Sequence, residues 1–199
     1  SDPERYTGIF MADPAEYYYG VGLPVMLASL RDQGLWKPDN NKIALVTGSL
    51  PYSTVISNAI RETAPQYGFE VSFEEIVPVP TTEWGAVLNK VRAEQPAVIA
   101  NTHFFPADLA QFQIQFAENP TNSLVYMQYG PLLKAFSEIA GEAARGVMSS
   151  SVIGILPDEI GNAFRDAYWA RFGETAEADP GASTYSEMYH YAISAALAG

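Results

Sequence analysis

The chain has 199 residues, 48% hydrophobic and 17% charged, a globular composition that can bury a sizeable core as one large domain or two small ones. Its 11 Lys or Arg residues stand against 23 Asp or Glu, a net charge of -12 with no basic cluster, which argues against nucleic acid and anionic membrane surfaces as partners. The absence of cysteine excludes disulfides, thiolate chemistry and cysteine-ligated zinc.

Taken in chain order, Thr7–Met11 reads as a short strand. Asp13-Pro14-Ala15-Glu16 combines an N-cap Asp, a Pro at the first helical position and a Glu three residues after the cap. This predicts a helix to about Gln33, stopped by Gly34 and kinked or divided by Pro24. After a polar connection, KIALVTGSLPY (42–52) reads as a buried strand, Ile43–Thr47, entering a short loop that carries Tyr52. A helix follows at about 53–64 with Val55, Ile56, Ala59 and Ile60 on its apolar face, closed by Pro65 and Gly68. Val71–Val77 is a partly alternating strand, expected near a sheet edge. Trp84, Val87, Leu88 and Val91 mark a helix face, and Ala97–Thr102 a buried strand.

His103-Phe104-Phe105-Pro106 precede a helix with Leu109, Phe112 and Phe116. Leu124–Met127 is the next strand, followed by Gln128-Tyr129-Gly130-Pro131 and a helix marked by Leu132, Leu133, Phe136 and Ile139. Gly146–Val152 is the last strand expected. Beyond Pro157 two helical stripes follow, one through Ile160, Phe164, Ala167 and Tyr168, the other through Tyr185, Met188, Tyr189, Ala192, Ile193 and Ala196. Four strand–helix units with a closing strand imply an α/β, doubly wound parallel sheet. The two final helices lack strands of their own. No apolar run reaches the ~18 residues of a membrane span, and the opening residues carry no signal-peptide pattern.

Catalytic signatures do not appear. No G-x-S-x-G elbow accompanies the two histidines, no glycine-rich phosphate loop occurs, and the histidines lack metal-ligand spacing. No cofactor or metal is therefore expected, and His190 reads as a residue on a helix face. What recurs is an aromatic residue at the end of each central strand: Tyr52, then Phe104 and Phe105, then Tyr126 and Tyr129. Parallel strands bring these to one edge, and aromatic-lined clefts with a few polar groups bind small molecules.

The order of these landmarks resembles the type I periplasmic binding proteins of ABC importers, in the branched-chain amino acid and amide/urea group. KIALVTG followed by SLPYS looks like that family's strand, polar loop and Tyr-Gly, with Ser53 where Gly is usual and Gly48 where Asp is usual. The blocks YGFEVSFEEIVPVPTTEWGAVLNKVRAEQPAVIA, FFPADLAQFQIQ and GEAARGVMSSS resemble its following segments. NAFRDAYWARFGETAEADPGASTYSEMYHYAISAALAG resembles its closing helices.

The resemblance implies two lobes closing on a ligand, of which residues 12–152 would form the second. Residues 1–11 and 153–199 would be crossover segments and part of the first, whose opening portion would lie on a missing N-terminal part of the same protein. It implies no catalysis, a periplasmic or lipid-anchored extracellular location, ABC permease subunits as partners, and a small-molecule ligand. Tyr52 would pack on that ligand and Phe104 form a second wall. His103 and Phe105 are also expected to contact the ligand, and Gln128 or Tyr129 would stand where amino-acid binders carry a Glu. Without that carboxylate, an amide, a urea-like compound or a small carboxylic acid becomes comparable to an amino acid. A ligand-sensing domain of a regulator or receptor is the alternative use of the same fold.

Overall fold

The computed structural model describes residues 4–5, 14–151, 154–176 and 183–198. The strand expected at Thr7–Met11 and the helix cap expected at Asp13 lie outside them. The chain divides into two compact units, Glu16–Ser151, and Ser1–Ala15 with Val152–Gly199.

The larger unit is a parallel sheet covered by helices. In chain order it comprises α1 (Tyr17–Asp32), β1 (Lys42–Gly48), α2 (Pro51–Thr63), β2 (Glu70–Val77), α3 (Gly85–Glu94), β3 (Val98–Asn101), α4 (Pro106–Ala117), β4 (Leu124–Met127), α5 (Lys134–Ala140) and β5 (Val147–Met148). All pairings are parallel, in the order β2-β1-β3-β4-β5. The expected α/β architecture is observed, with β2 at an edge. β1 and β3 are buried almost throughout because both their faces are covered, which is why they read as unbroken apolar runs.

Right-handed crossovers send α2, which joins β1 to β2, to one face of the sheet, and the helices of the reversed direction to the other. On the second face Val87, Leu88 and Val91 of α3, Leu109, Phe112 and Phe116 of α4 and Phe136 of α5 close over Val46, Ile99, Val125 and Met127. Trp84 is fully buried here, its indole Nε1 donating to the Asp108 carbonyl at 3.1 Å. On the first face α1 lies against α2.

Four local expectations need correction. Of the two outcomes expected at Pro24, division does not occur: α1 is one helix through it, because Tyr19, Leu23, Leu27 and Ala28 are packed away and tertiary burial offsets one missing hydrogen bond. It also begins at Tyr17, with Glu16 at the cap position making no side-chain capping bond. In α2 the buried face is Ser53, Ile56, Ser57, Ala59, Ile60 and Thr63, and Val55 points to solvent. In the segment before β5, Phe136 and Ala140 are buried whereas Leu132 and Ile139 are exposed, since a 3-10 turn over Gly130–Leu132 resets the helical phase. Within the described residues β5 is only Val147–Met148.

The smaller unit carries α6 (Glu159–Phe172) and α7 (Thr184–Ala198). α6 is capped by Asp158, whose carboxylate accepts from Gly161 N at 2.7 Å, and is ended by Gly173 in the left-handed region. The rings of Phe164 and Tyr185 join the two helices, with centroids 5.2 Å apart. Ile160, Trp169, Met188, Tyr191 and Leu197 stay exposed, and among the described residues this unit has no strand. No helix among the described residues is long and apolar enough to cross a membrane.

Gly20 sets the approach of α1 to α2: a Cβ there would stand 2.3 Å from Ile56 O, whereas one on Gly22 would meet nothing within 4 Å. Gly20→Ala is expected to destabilise by roughly 1–3 kcal/mol through overpacking. Gly22→Ala should be neutral or stabilising by up to about 1 kcal/mol. Urea unfolding midpoints of the two variants check the contrast.

Candidate functional site

Strand order reverses at β1, whose neighbours β2 and β3 both follow it in the chain. The loop after β1 turns towards α2 and the loop after β3 towards α4, which cover opposite faces. This divergence at the carboxyl edge is where ligands bind in sheets of this order.

Tyr52 stands at this point, in the first turn of α2 and not in the preceding loop, because Pro51 has the fixed φ that suits the first helical position. Its ring meets that of Phe104 edge-on at 5.4 Å, and Phe104 stacks on Phe105 at 4.5 Å. Tyr52 and Phe104 are half-buried, and Phe105 is exposed. Gln128, just past β4, is held by its backbone N–H to Asn101 O at 3.0 Å, and its Nε2 donates to the Tyr52 hydroxyl at 2.5 Å. Burial, aided by the neighbouring Tyr19, Glu16 and Tyr129, raises the Tyr52 pKa well above that of a free phenol and keeps the hydroxyl protonated.

Tyr129 adopts φ 58°, ψ −58°, a backbone conformation that costs a non-glycine residue on the order of 1–3 kcal/mol. The next residue fixes it there. A Cβ on Gly130 would stand 2.4 Å from Leu109 Cδ1 and 2.9 Å from Phe104 O, so only glycine lets this loop close onto the Phe104 backbone. Four of the six predicted site residues, Tyr52, Phe104, Gln128 and Tyr129, thus come together, and Phe105 backs them through Phe104.

His103 is different. It is wholly buried, with Nδ1 accepting from Phe105 N at 3.3 Å and Nε2 3.1 Å from Asp108 Oδ2, off the line of a straight hydrogen bond. Asp108 in turn accepts from Thr81 N at 2.7 Å. His103 therefore orients the Phe104–Phe105 turn from beneath and presents no surface to a ligand. Tyr126 likewise lies inside β4, fully buried, with its hydroxyl 2.7 Å from Ser150 Oγ and its pKa pushed up to about 12 by burial.

Sequence reasoning missed the polar groups that fix this edge. Thr47 donates to Glu74 Oε1 at 2.7 Å, and its oxygen lies 2.7 Å from Ser57 Oγ, which lies 2.9 Å from Thr102 Oγ1. The Thr47 proton is committed to the carboxylate, so Ser57 donates to Thr47 and is free to accept from Thr102. Glu74 is also paired with Arg61 of α2. This chain pins α2, and with it Tyr52, across β1 and β3. Ser53 Oγ, Asn101 Nδ2 and Gln128 Oε1 are buried at the same edge without partners among the described residues. The available signal was Ser53 and Ser57, four apart on the helix face that also carries Ile56, Ala59 and Ile60. Among the described residues no cluster of His or carboxylates is arranged to hold a metal.

Burial lowers the His103 pKa below 6.5, against the pull of Asp108. The unfolded chain then binds more protons than the folded one, so this contribution is complete above about pH 6.5 and is lost as pH falls. The urea midpoint should drop between about pH 7 and about pH 5, and His103→Gln should flatten that dependence.

With this geometry in place, comparison with known proteins places the chain among relatives. A model of the periplasmic binding protein family matches residues 9–199. A solved structure from Silicibacter pomeroyi, provisionally assigned as a branched-chain amino acid ABC transporter, is 50% identical at a TM-score of 0.90, covering 100% of this chain and 50% of that one. A leucine binding protein from Thermotoga maritima shares the fold at 16% identity and TM-score 0.69, over 89% of this chain and 50% of that one. An ABC transporter solute binding protein from R. palustris in complex with benzoate does so at 15% identity and TM-score 0.66, over 83% and 44%. No curated protein matches the chain. The chain spans about half the length of these solved structures.

Proposed function

The chain belongs to the periplasmic binding protein family, and we propose that it is the later part of an extracytoplasmic solute-binding protein serving an ABC importer. In this reading residues 12–152 are the second ligand-binding lobe. Residues 1–11 and 153–199 are crossover segments and part of the first lobe, completed by an N-terminal part of the same protein. The protein captures a small organic solute by closing its lobes, carries out no chemistry on it, and hands it to membrane permease subunits. Its location is periplasmic, or extracellular on a lipid anchor.

One observation carries this reading. At the point where strand order reverses, Tyr52 and Phe104 form an aromatic wall over the buried amide of Gln128. Aromatic contact supplies shape and apolar area, while a few buried polar atoms supply orientation, the usual division of labour in small-molecule sites. The 50% identity to the Silicibacter pomeroyi protein supports the same direction, as does the exposed apolar surface of α6 and α7, which suits helices covered by further sheet.

The intact two-lobed protein is expected to show a raised Tm with at least one member of a panel of amino acids, amides, ureas and small carboxylic acids. Phe104→Ala should weaken that solute by roughly ten- to a hundredfold, the equivalent of losing an aromatic side chain's buried contact. Its circular dichroism spectrum should be unchanged. A panel without any stabilising solute would contradict the reading.

A further inference from the structure

His103 ties the loops of the carboxyl edge together from beneath. Its ring stands edge-on to Trp84, which ends the loop after β2, with centroids 5.9 Å apart. A Cβ on Gly48, at the end of β1, would lie 3.3 Å from its Cδ2. The backbone leading to the ring is fixed, because Thr102 N donates to Val46 O at 2.8 Å and His103 N to Asn101 Oδ1 at 3.1 Å. What can move is the Phe104–Phe105 turn beyond it, which the ring holds through the Phe105 N–H.

That bond has a fixed polarity. Nδ1 accepts from Phe105 N at 3.3 Å, so the neutral ring carries its proton on Nε2, which faces Asp108 Oδ2 at 3.1 Å. A second proton has only Nδ1 to occupy, where it meets the Phe105 N–H, donor against donor. Asp108 supplies a counter-charge for the imidazolium, so burial opposes protonation without forbidding it. Among the described residues Asp108 of α4 is the charged group beside the ring. The other elements around it bring Ser53 and Val79, Trp84 with the solvent-exposed Glu83 before it, and Tyr52 of α2, whose hydroxyl burial keeps protonated.

We propose that protonation of His103 releases the Phe104–Phe105 turn, so that the aromatic wall formed with Tyr52 is complete while His103 is neutral and comes apart as pH falls. The device gates the site of the solute-binding reading and rests on that reading for its use. A solute seated on Phe104 would in turn hold His103 neutral, since such coupling is reciprocal.

Heteronuclear NMR of the intact protein without solute tests it, with the His103 ring signals identified by their loss in His103→Asn. At about pH 7.5 the ring should show the Nε2–H tautomer. Because burial holds its pKa below 6.5, titration should run from about pH 6.5 downwards. Across it the Phe105 amide should lose at least about tenfold of its protection from exchange, beyond the intrinsic pH dependence, as one hydrogen bond is lost. The nuclear Overhauser contact between the Tyr52 and Phe104 rings should fade over the same range, while the Leu45 and Val46 amides stay protected. His103→Asn keeps an acceptor at the δ position and cannot titrate, so its Phe105 amide should stay protected throughout. Asp108→Asn, which removes the counter-charge, should move the release to lower pH.

A ring that titrates with Phe105 and the Tyr52–Phe104 contact unchanged overturns the proposal. So does an Nδ1–H tautomer at about pH 7.5, or a ring that stays neutral until β1 itself loses protection. Release that persists in His103→Asn assigns it to another group and overturns the proposal as well. No solute enters these measurements, so the device can fail while the solute-binding reading stands, and the reading can fail while the release is seen.

Discussion

Strand β1 is hydrogen-bonded on both sides to strands that come later in the chain, and that one constraint determines where everything functional can stand. Because crossovers are right-handed, the connections on either side of β1 must pass over opposite faces of the sheet. The two loops at its carboxyl end therefore diverge. Tyr52 leaves with one and Phe104 with the other, and their rings meet across the gap. The pairing order is thus the origin of this divergence, and the aromatic residues are what it presents.

Such a gap needs firm walls. The Thr102–Ser57–Thr47–Glu74 chain fastens α2 to the sheet on one side. Asp108 and His103 brace the Phe104–Phe105 turn on the other, and the absence of a Cβ on Gly130 lets the Tyr129 loop settle over it. Gly48 and Ser53 meet here as well. A Cβ on Gly48 would stand 3.0 Å from Ser53 Oγ and 3.3 Å from His103 Cδ2. A side chain at 48 would crowd both neighbours, and its absence leaves room for the Ser53 hydroxyl.

Much of this was legible in the chain. β1, β3 and β4 are short apolar runs bounded by Pro, Gly or Asn, and α3 and α4 carry regular stripes, because burial on a covered sheet imposes those patterns. Tyr52, Phe104, Gln128 and Tyr129 follow from their places just past strand ends. What was not legible depends on tertiary partners. Val55 fits the apolar stripe of α2 as well as its neighbours do, yet Ser57 takes the buried side, where the Thr47 and Thr102 hydroxyls meet it, and Ser53 is buried one turn before it. His103 reads as a residue at a strand end, and only the packed structure puts Phe105 above it and Asp108 beside it. Pro24 reads as a kink or a division, and the fit of α1 against α2 keeps that helix undivided.

The central claim is that the carboxyl edge between β1 and β3 is one jaw of a ligand cleft. Hydrogen exchange on the intact protein, with and without the solute that raises its Tm most, addresses it directly. The account predicts added protection concentrated in residues 50–54, 102–106 and 128–130, with little change along β2 or the outer face of α3. Protection confined to other segments, with those three loops unaffected, would contradict it.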